Sequence, residues 1–179
     1  MPIRTGLDER IKSVQNELKE YFEEAKHIYD DAIDAFTKLD SQVYSEAKRA
    51  RAKAREVNWD LTNDLLLILA LNQPLMQDLR IIATYLRAVD TVERLIRHAR
   101  DIARSDRSID EDADELPQEI VDPVLEMHQH LNALIDITVV CLTEGQEVPA
   151  DDVRKNWRCL LYTSPSPRDQ RGSRFPCCG

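Results

Sequence analysis

Apolar residues recur every three or four positions along the first forty residues, and this spacing constrains the fold more than any other feature. The stripe consists of Leu7, Ile11, Val14, Leu18, Tyr21, Ala25, Ile28, Ala32, Phe36 and Leu39. Such spacing places these side chains on one face of an α-helix. It predicts a first helix over residues 8–38, whose apolar face must be buried against other helices.

The same period continues in later segments. Further helices are predicted over residues 42–71, 74–104 and 118–142, with a fifth from about residue 150. Asp40 or Ser41 is the predicted N-cap of the second helix, and Gly145 the predicted C-terminal cap residue of the fourth. The predicted inner face of the second helix is Val43, Ala47, Ala50, Ala54, Val57, Leu61, Leu65 and Ile68. That of the third is Leu75, Leu79, Ile82, Leu86, Val89 and Ile96, flanked by Ile81, Tyr85, Val92, Leu95 and Ile102. That of the fourth is Ile120, Val124, Met127, Leu131, Leu134, Ile135 and Thr138.

No strand pattern competes with these helices, so the predicted class is all-α. Long amphipathic helices joined by short turns bury their faces on one another, which predicts an antiparallel three-helix bundle over residues 1–104. The acidic segment 105–117 is a predicted linker, and residues 118–158 the start of a second helical bundle.

Residues 159–179 differ in composition from the rest of the chain. They hold three of the four cysteines and three of the eight prolines. Their first eleven residues, CLLYTSPSPRD, match the translation of a sequencing-library adapter, which predicts a non-native, disordered tail and a truncation of the natural sequence near Arg158. Without the tail's three arginines and one aspartate, the body has 21 basic and 32 acidic residues and one cysteine, Cys141. One cysteine provides neither a disulfide framework nor a cysteine metal site.

The charge and the lack of long apolar runs limit the partners. The formal net charge of −9 disfavours binding to nucleic acid and to anionic lipid. The longest apolar block, LLLILAL at residues 65–71, is far shorter than the roughly 18 residues of a membrane span. The N-terminus lacks the apolar region of a secretory signal, so a cytoplasmic location is expected.

Residues 71–80, LNQPLMQDLR, interrupt the helical pattern with a proline. Proline lacks an N–H and disfavours the α conformation in Gln73, but it suits the first position of a helix. Asp78 then falls in the first turn of the next helix, where its charge meets the positive end of the helix dipole. The segment therefore predicts that a new helix starts at Pro74.

Motifs for catalysis are absent from the sequence. It has no serine-nucleophile motif, no glycine-rich phosphate loop and no Cys/His zinc spacing, so we predict that the protein is not an enzyme. The four histidines are His27, His98, His128 and His130. Their surroundings favour ordinary surface or partly buried histidines, because His128 and His130 point to different sides of a helix.

Two carboxylates of the third helix, Asp90 and Glu93, are the best candidates for a metal site. Glu93 falls on the predicted inner face, where an acid needs a partner, a metal or a shifted pKa. A carboxylate cluster that binds a metal is one interpretation. The other is a ladder of i,i+4 ion pairs, Asp90–Arg94, Glu93–Arg97 and Arg97–Asp101, which explains the pattern without a metal. The charge of Arg97 opposes cation binding and favours the ladder.

A basic run on the second helix consists of Lys48, Arg49, Arg51, Lys53 and Arg55. It either binds an acidic partner or forms a solvated face that pairs with the acidic first helix, and the excess of negative charge favours the second interpretation. Asp64 interrupts the inner stripe of the same helix. It is either a hydrogen-bonded core acid or the edge of the stripe.

Residues 67–103, LILALNQPLMQDLRIIATYLRAVDTVERLIRHARDIA, resemble the PhoU family of phosphate-regulation proteins. The resemblance lies in the order of an apolar helix end, Gln-Pro, Asp-Leu-Arg and, about a dozen residues later, a Glu-Arg segment that ends in His-Ala. The residues that carry it are Pro74, Asp78, Arg80, Glu93, Arg94 and His98. The resemblance extends over the whole body and implies tandem three-helix bundles, the second of them incomplete.

The resemblance implies a cytoplasmic negative regulator of phosphate uptake and signalling. The implied partners are the ATPase subunit of a phosphate ABC transporter and a sensor histidine kinase, and a homodimer is also open. Some family members bind iron or zinc clusters through acidic motifs whose first acid corresponds to Glu93. Arg97 stands at the second acid position, which points to a metal-free first bundle. The alternatives are a helical protein that binds Fe, Zn or Mn through Asp90 and Glu93, and a generic helical interaction module.

Overall fold

The computed structural model describes residues 2–39, 42–105 and 116–163. Five helices fill these ranges: α1 (Pro2–Lys38), α2 (Val43–Asn72), α3 (Met76–Ser105), α4 (Gln118–Glu144) and α5 (Ala150–Thr163). No strand occurs in the described residues, and the all-α prediction is confirmed. For α1 to α4, the predicted first and last residues lie within two residues of the observed ones, except at the start of α1. The predicted caps Asp40 and Ser41, most of the acidic linker and residues 164–179 lie outside the described ranges.

Helices α1, α2 and α3 each pack against the other two and form a three-helix bundle. The largest fully buried side chains are Leu18, Leu61, Leu65, Ile82, Val89, Val92 and Ile96. All of them except Val92 belong to the predicted inner faces. Val92 and Tyr85, predicted to flank the inner face of α3, are also buried because α3 lies against two helices and needs a wide apolar stripe.

Small residues pack the end of the bundle where α1 passes into α2. Ala32, Ala47, Ala99 and Ala103 form a separate buried cluster there, with Tyr29 and Ile102 packed beside it. Alanine side chains allow helices to approach closely, since the interaxial distance depends on the side chains at the contact. The bundle therefore has a large core rich in leucine and isoleucine and a separate alanine-rich cluster at the α1–α2 end.

The turn between α2 and α3 differs from its prediction. Gln73 leaves the α conformation as predicted and adopts the left-handed one, with φ 44° and ψ 60°. However, α3 begins at Met76 rather than at Pro74, so Leu75 lies in the turn, outside the helical phase. Leu75 is 75% exposed and Leu79 is 48% exposed, and the prediction that both face inward is wrong.

Helix α4 packs on α1, and α5 packs back on α4. Gly145 adopts the left-handed conformation with φ 65° at the end of α4, which confirms the predicted cap residue. Of the predicted inner face of α4 only Ile135 is buried, and Ile120 is exposed, because α1 and the short α5 cover only part of the apolar stripe of α4. Helix α5 extends past residue 158, where we placed the end of the helical body, to Thr163. Across the described residues, none of the helices has the length and apolarity needed to cross a membrane.

Candidate functional site

The α2–α3 turn brings together the residues of the Gln-Pro…Asp-Leu-Arg motif. Pro74 is half-buried directly after the left-handed Gln73, and Asp78 is half-buried in the first turn of α3. Asn72 donates from its side-chain amide to the Ile68 carbonyl at 3.1 Å. This bond runs back one turn along α2 from its last residue. Arg80 is exposed, so the motif combines a structural turn with a charge that points to solvent.

Large exposed apolar side chains occur in the chain on both sides of this turn. The set, here called the apolar tip, consists of Leu66, Leu67, Leu71, Leu75, Met76 and Leu79. Their exposed fractions lie between 48% and 79%. The largest apolar patch of a typical monomer covers roughly 300–600 Å² and is often functional. The sequence prediction missed the tip because periodicity assigned Leu75 and Leu79 to the core.

The acid and base row of α3 does not form the predicted ion-pair ladder. Among the ion pairs of the described residues, none joins the predicted partners. Asp101 contacts the neighbouring Arg100 instead, and Asp90 accepts a hydrogen bond from Asn58 Nδ2 at 3.5 Å. The ladder is therefore wrong. Exposed i,i+4 pairs gain only about 0.2–0.5 kcal/mol, so nearby partners compete with them easily. His98 and Arg94 are exposed on the same helix.

Three carboxylates lie near the hydroxyl of Tyr21. Burial raises the pKa of this phenol, and the negative charges of Glu93, Glu24 and Asp90 raise it further. The Tyr21 hydroxyl donates a hydrogen bond to the Ala54 carbonyl at 2.9 Å, which ties α1 to α2. Glu93 is half-buried rather than fully inside. The carboxylates are thus arranged around a neutral hydrogen-bonded phenol.

The described ranges contain no group of three or more His, Cys, Asp or Glu side chains arranged to hold a metal ion. Arg97 is half-buried on α3, one turn after Glu93. Its positive charge disfavours a cation at this position. Asp90 and Glu93 alone do not fit a metal centre, and metal binding through them stays a prediction.

The pKa of Tyr21 predicts a loss of stability at alkaline pH. The pKa in the folded state lies above the ordinary value of 10.0, so the folded protein holds this proton more tightly than the unfolded chain does. This stabilising contribution is complete below about pH 10 and is lost as the pH rises towards the folded-state pKa. Above pH 10, we expect the free energy of unfolding to fall less steeply with pH in Tyr21→Phe than in the wild type. The two slopes should differ by up to about 1.4 kcal/mol per pH unit. Urea titrations at several pH values measure this slope, and parallel curves for both proteins would contradict the prediction.

The basic run of α2 pairs with α1 at one position. Lys53 Nζ lies 2.8 Å from Glu24 Oε1, which confirms the predicted pairing with the acidic first helix for this residue. Lys48, Arg49 and Arg55 are exposed. Asp64 is also exposed, beside a cavity of about 210 Å³. It lies at the edge of the stripe, and its interpretation as a core acid is wrong.

A polar junction between α1 and α4 was not predicted. His128 Nε2 lies 3.0 Å from Asp30 Oδ1, and Asn132 Nδ2 donates to the same oxygen at 2.9 Å. The rings of Tyr29 and His128 stack with centroids 5.7 Å apart. His128 Nδ1 and Asn132 Oδ1 are buried without a hydrogen-bond partner in the described part of the chain. The signal in the sequence was the i,i+4 pair His128 and Asn132 on α4.

A groove of about 550 Å³ lies beside this junction, between α1 and α4. Phe22, Ile135 and Val139 contribute apolar side chains to its lining. Lys26 Nζ and Asp136 Oδ1, 2.5 Å apart, link the two helices at its wall. His27 is exposed on the same wall and pairs with Asp31 at 2.9 Å. The groove offers apolar surface and surface ion pairs.

The bundle and its turn define an all-α domain whose distinctive residues lie on helix surfaces and at a tight turn. Residues 18–106 match the family model of the PhoU domain, from the first half of α1 to the end of α3. The chain belongs to the PhoU family, a regulatory family related to phosphate transport, and the resemblance read from residues 67–103 is confirmed. Comparisons with curated proteins and with solved structures gave no match.

Proposed function

We propose that the protein regulates phosphate uptake and phosphate-responsive signalling by binding other proteins in the cytoplasm, without catalysis. The observation that carries this proposal is the PhoU-domain match over residues 18–106, which coincides with the bundle of α1, α2 and α3. The motif residues around Pro74 support it, because they form the turn between two helices of that bundle. The partners we propose are the ATPase subunit of a phosphate ABC transporter and a sensor histidine kinase.

The exposed basic residues of α2 provide a surface for an acidic partner. Lys48, Arg49 and Arg55 are free of the ion pair that holds Lys53 to α1. They concentrate positive charge on a chain whose formal net charge is −9. Complementary charge at an interface raises the association rate and selects partners. This face therefore suits an acidic patch on the ATPase or the kinase.

Co-purification from cells tests the proposed partners. We expect the tagged full chain to retain the phosphate-transport ATPase or the sensor kinase. A charge reversal of Lys48, Arg49 and Arg55 to Glu should weaken retention, whereas reversal of the exposed Lys155 and Arg158 on α5 should not. Retention of neither protein would contradict the proposed function. Equal retention by both charge variants would contradict only the assignment of the basic face.

Two alternatives to this function are metal binding through Asp90 and Glu93 and a generic helical interaction module. We expect elemental analysis of the purified full chain to find no stoichiometric Fe, Zn or Mn, because Arg97 opposes a cation beside Glu93. One metal per chain that is lost in Glu93→Gln and kept in the exposed-site variant Glu20→Gln would contradict this expectation. A generic module would leave phosphate uptake unchanged when its gene is deleted.

A further inference from the structure

Two arginines, Arg51 on α2 and Arg100 on α3, each have a buried nitrogen without a partner. Their Nε atoms are shielded from water and make no hydrogen bond in the described part of the chain. Arg100 contacts the Asp101 carboxylate through another nitrogen, whereas Arg51 has no ion pair within the described ranges. Partial burial of a charged group without a partner costs free energy, so these atoms require an explanation, such as a bound ion.

The contact between Asn58 and Asp90 shows which residues of α2 and α3 lie at the same level. Asn58 Nδ2 lies 3.5 Å from Asp90 Oδ1, and the short turn between the two helices makes them antiparallel. Arg51 precedes Asn58, and Arg97 follows Asp90, by about two helical turns, which returns each arginine to the face of its reference residue. Arg51 and Arg97 therefore lie at the same level on the facing sides of α2 and α3. Both are half-buried there.

Positive charge predominates along this part of the groove between α2 and α3. The basic residues within two turns of the Arg51–Arg97 level are Lys48, Arg55, Arg94, Arg100 and Arg104. The acidic residues along the same stretch are Asp90, Glu93 and Asp101. Among the ion pairs of the described residues, only that of Arg100 with Asp101 joins members of these two sets. The guanidinium groups of Arg51 and Arg97 thus retain an uncompensated charge next to each other.

The chemistry of these side chains selects a phosphate ion. The planar fork of a guanidinium donates two parallel hydrogen bonds to a phosphate, and two forks at one level match its double negative charge. An ionised carboxylate only accepts hydrogen bonds. Asp101, beside Arg100, can therefore accept the proton that hydrogen phosphate carries and that sulfate lacks.

We propose that the groove between α2 and α3 binds inorganic phosphate through Arg51, Arg97 and Arg100, with Asp101 accepting a hydrogen bond from its protonated oxygen. The choice of phosphate as the natural ion rests on the proposed function, whereas the site itself rests on the unpaired arginines. These residues are distinct from Lys48, Arg49 and Arg55, to which we assign an acidic protein partner.

Nuclear magnetic resonance of the ¹⁵N-labelled full chain tests this proposal. Sodium phosphate replaces sodium chloride at constant ionic strength, so that screening stays the same throughout. We expect the Nε–H signals of Arg51, Arg97 and Arg100 to shift and saturate, with a dissociation constant of about 0.1–10 mM. The signals of Arg10 and Arg87, exposed elsewhere on the bundle, should not move. Sulfate should bind at least about tenfold more weakly, because it has no proton to donate to Asp101.

Two variants with the same loss of charge test the residues. Arg51→Gln, Arg97→Gln should raise the dissociation constant for phosphate at least about tenfold, and Arg10→Gln, Arg87→Gln should leave it unchanged, with circular dichroism showing that both are folded. No saturable shift in the wild type, or equal weakening by both variants, would overturn the site. Equal affinity for sulfate would reveal an adventitious anion site and overturn the assignment to phosphate.

The co-purification experiment separates this inference from the proposed function. Retention of the ATPase or the kinase by a chain that does not bind phosphate would contradict the phosphate site alone. Binding of phosphate by a chain that retains neither protein would contradict the proposed partners alone.

Discussion

Replacing Leu65 by Ala is expected to lower the free energy of unfolding by about 2–5 kcal/mol, whereas the same change at Leu66 is expected to cost less than about 1 kcal/mol. Leu65 is completely buried in the core of the bundle, and Leu66 is 49% exposed at the apolar tip. Truncation at Leu65 removes apolar contacts and leaves a cavity, while truncation at Leu66 removes little that is shielded from water. Since a small protein is stable by only about 5–15 kcal/mol, the first change removes a large share of that stability.

Urea titration of the two variants measures this difference. The two residues are neighbours of the same type in one helix, so changes in helix propensity cancel in the comparison. Equal losses for both variants, or a larger loss for Leu66→Ala, would mean that α2 is rotated about its axis relative to the described bundle.

Replacing Asp30 by Ala is expected to loosen α4 from α1 and to lower the free energy of unfolding by about 1–2 kcal/mol. The substitution removes the acceptor shared by His128 and Asn132, whose other polar atoms are already buried without partners. The Asp30 side chain is 42% exposed, which keeps the expected loss moderate because water screens part of the interaction. Asp31→Ala is the matched control, since the Asp31 carboxylate pairs with the exposed His27 rather than with α4.

Hydrogen exchange shows where the effect of Asp30→Ala lies. We expect faster exchange of backbone amides in α4 and unchanged exchange in α2, because α4 packs on the bundle mainly through α1. The Asp31→Ala variant should exchange like the wild type. Equal destabilisation by the two substitutions, or faster exchange in α2 than in α4, would show that the polar junction does not hold α4 in place.

The hydrophobic period was sufficient to predict most of the bundle. It placed Ile82, Val89 and Ile96 on the inner face of α3, because a helix that must bury one face repeats its apolar residues every three or four positions. It failed at Leu75 and Leu79. Periodicity identifies the apolar face of a helix, but it does not show where the neighbouring helix ends and the face becomes exposed.

The side-chain contacts were much harder to predict than the helices. The ion-pair ladder failed because surface pairs of similar energy compete, as the contact of Asp101 with Arg100 shows. The junction of Asp30 with His128 joins residues almost a hundred positions apart, and only the packing of α4 on α1 brings them together. The order of the motif from Pro74 to His98, in contrast, was enough to indicate the family before any packing was known.

Phosphate uptake by cells with and without the gene tests the central claim most directly. A negative regulator restrains the transporter when phosphate is plentiful, so deletion should raise uptake in phosphate-rich medium and switch on phosphate-starvation genes. Expression of the intact gene should restore both to the original level. Unchanged phosphate uptake and unchanged starvation-gene expression after deletion would contradict the account.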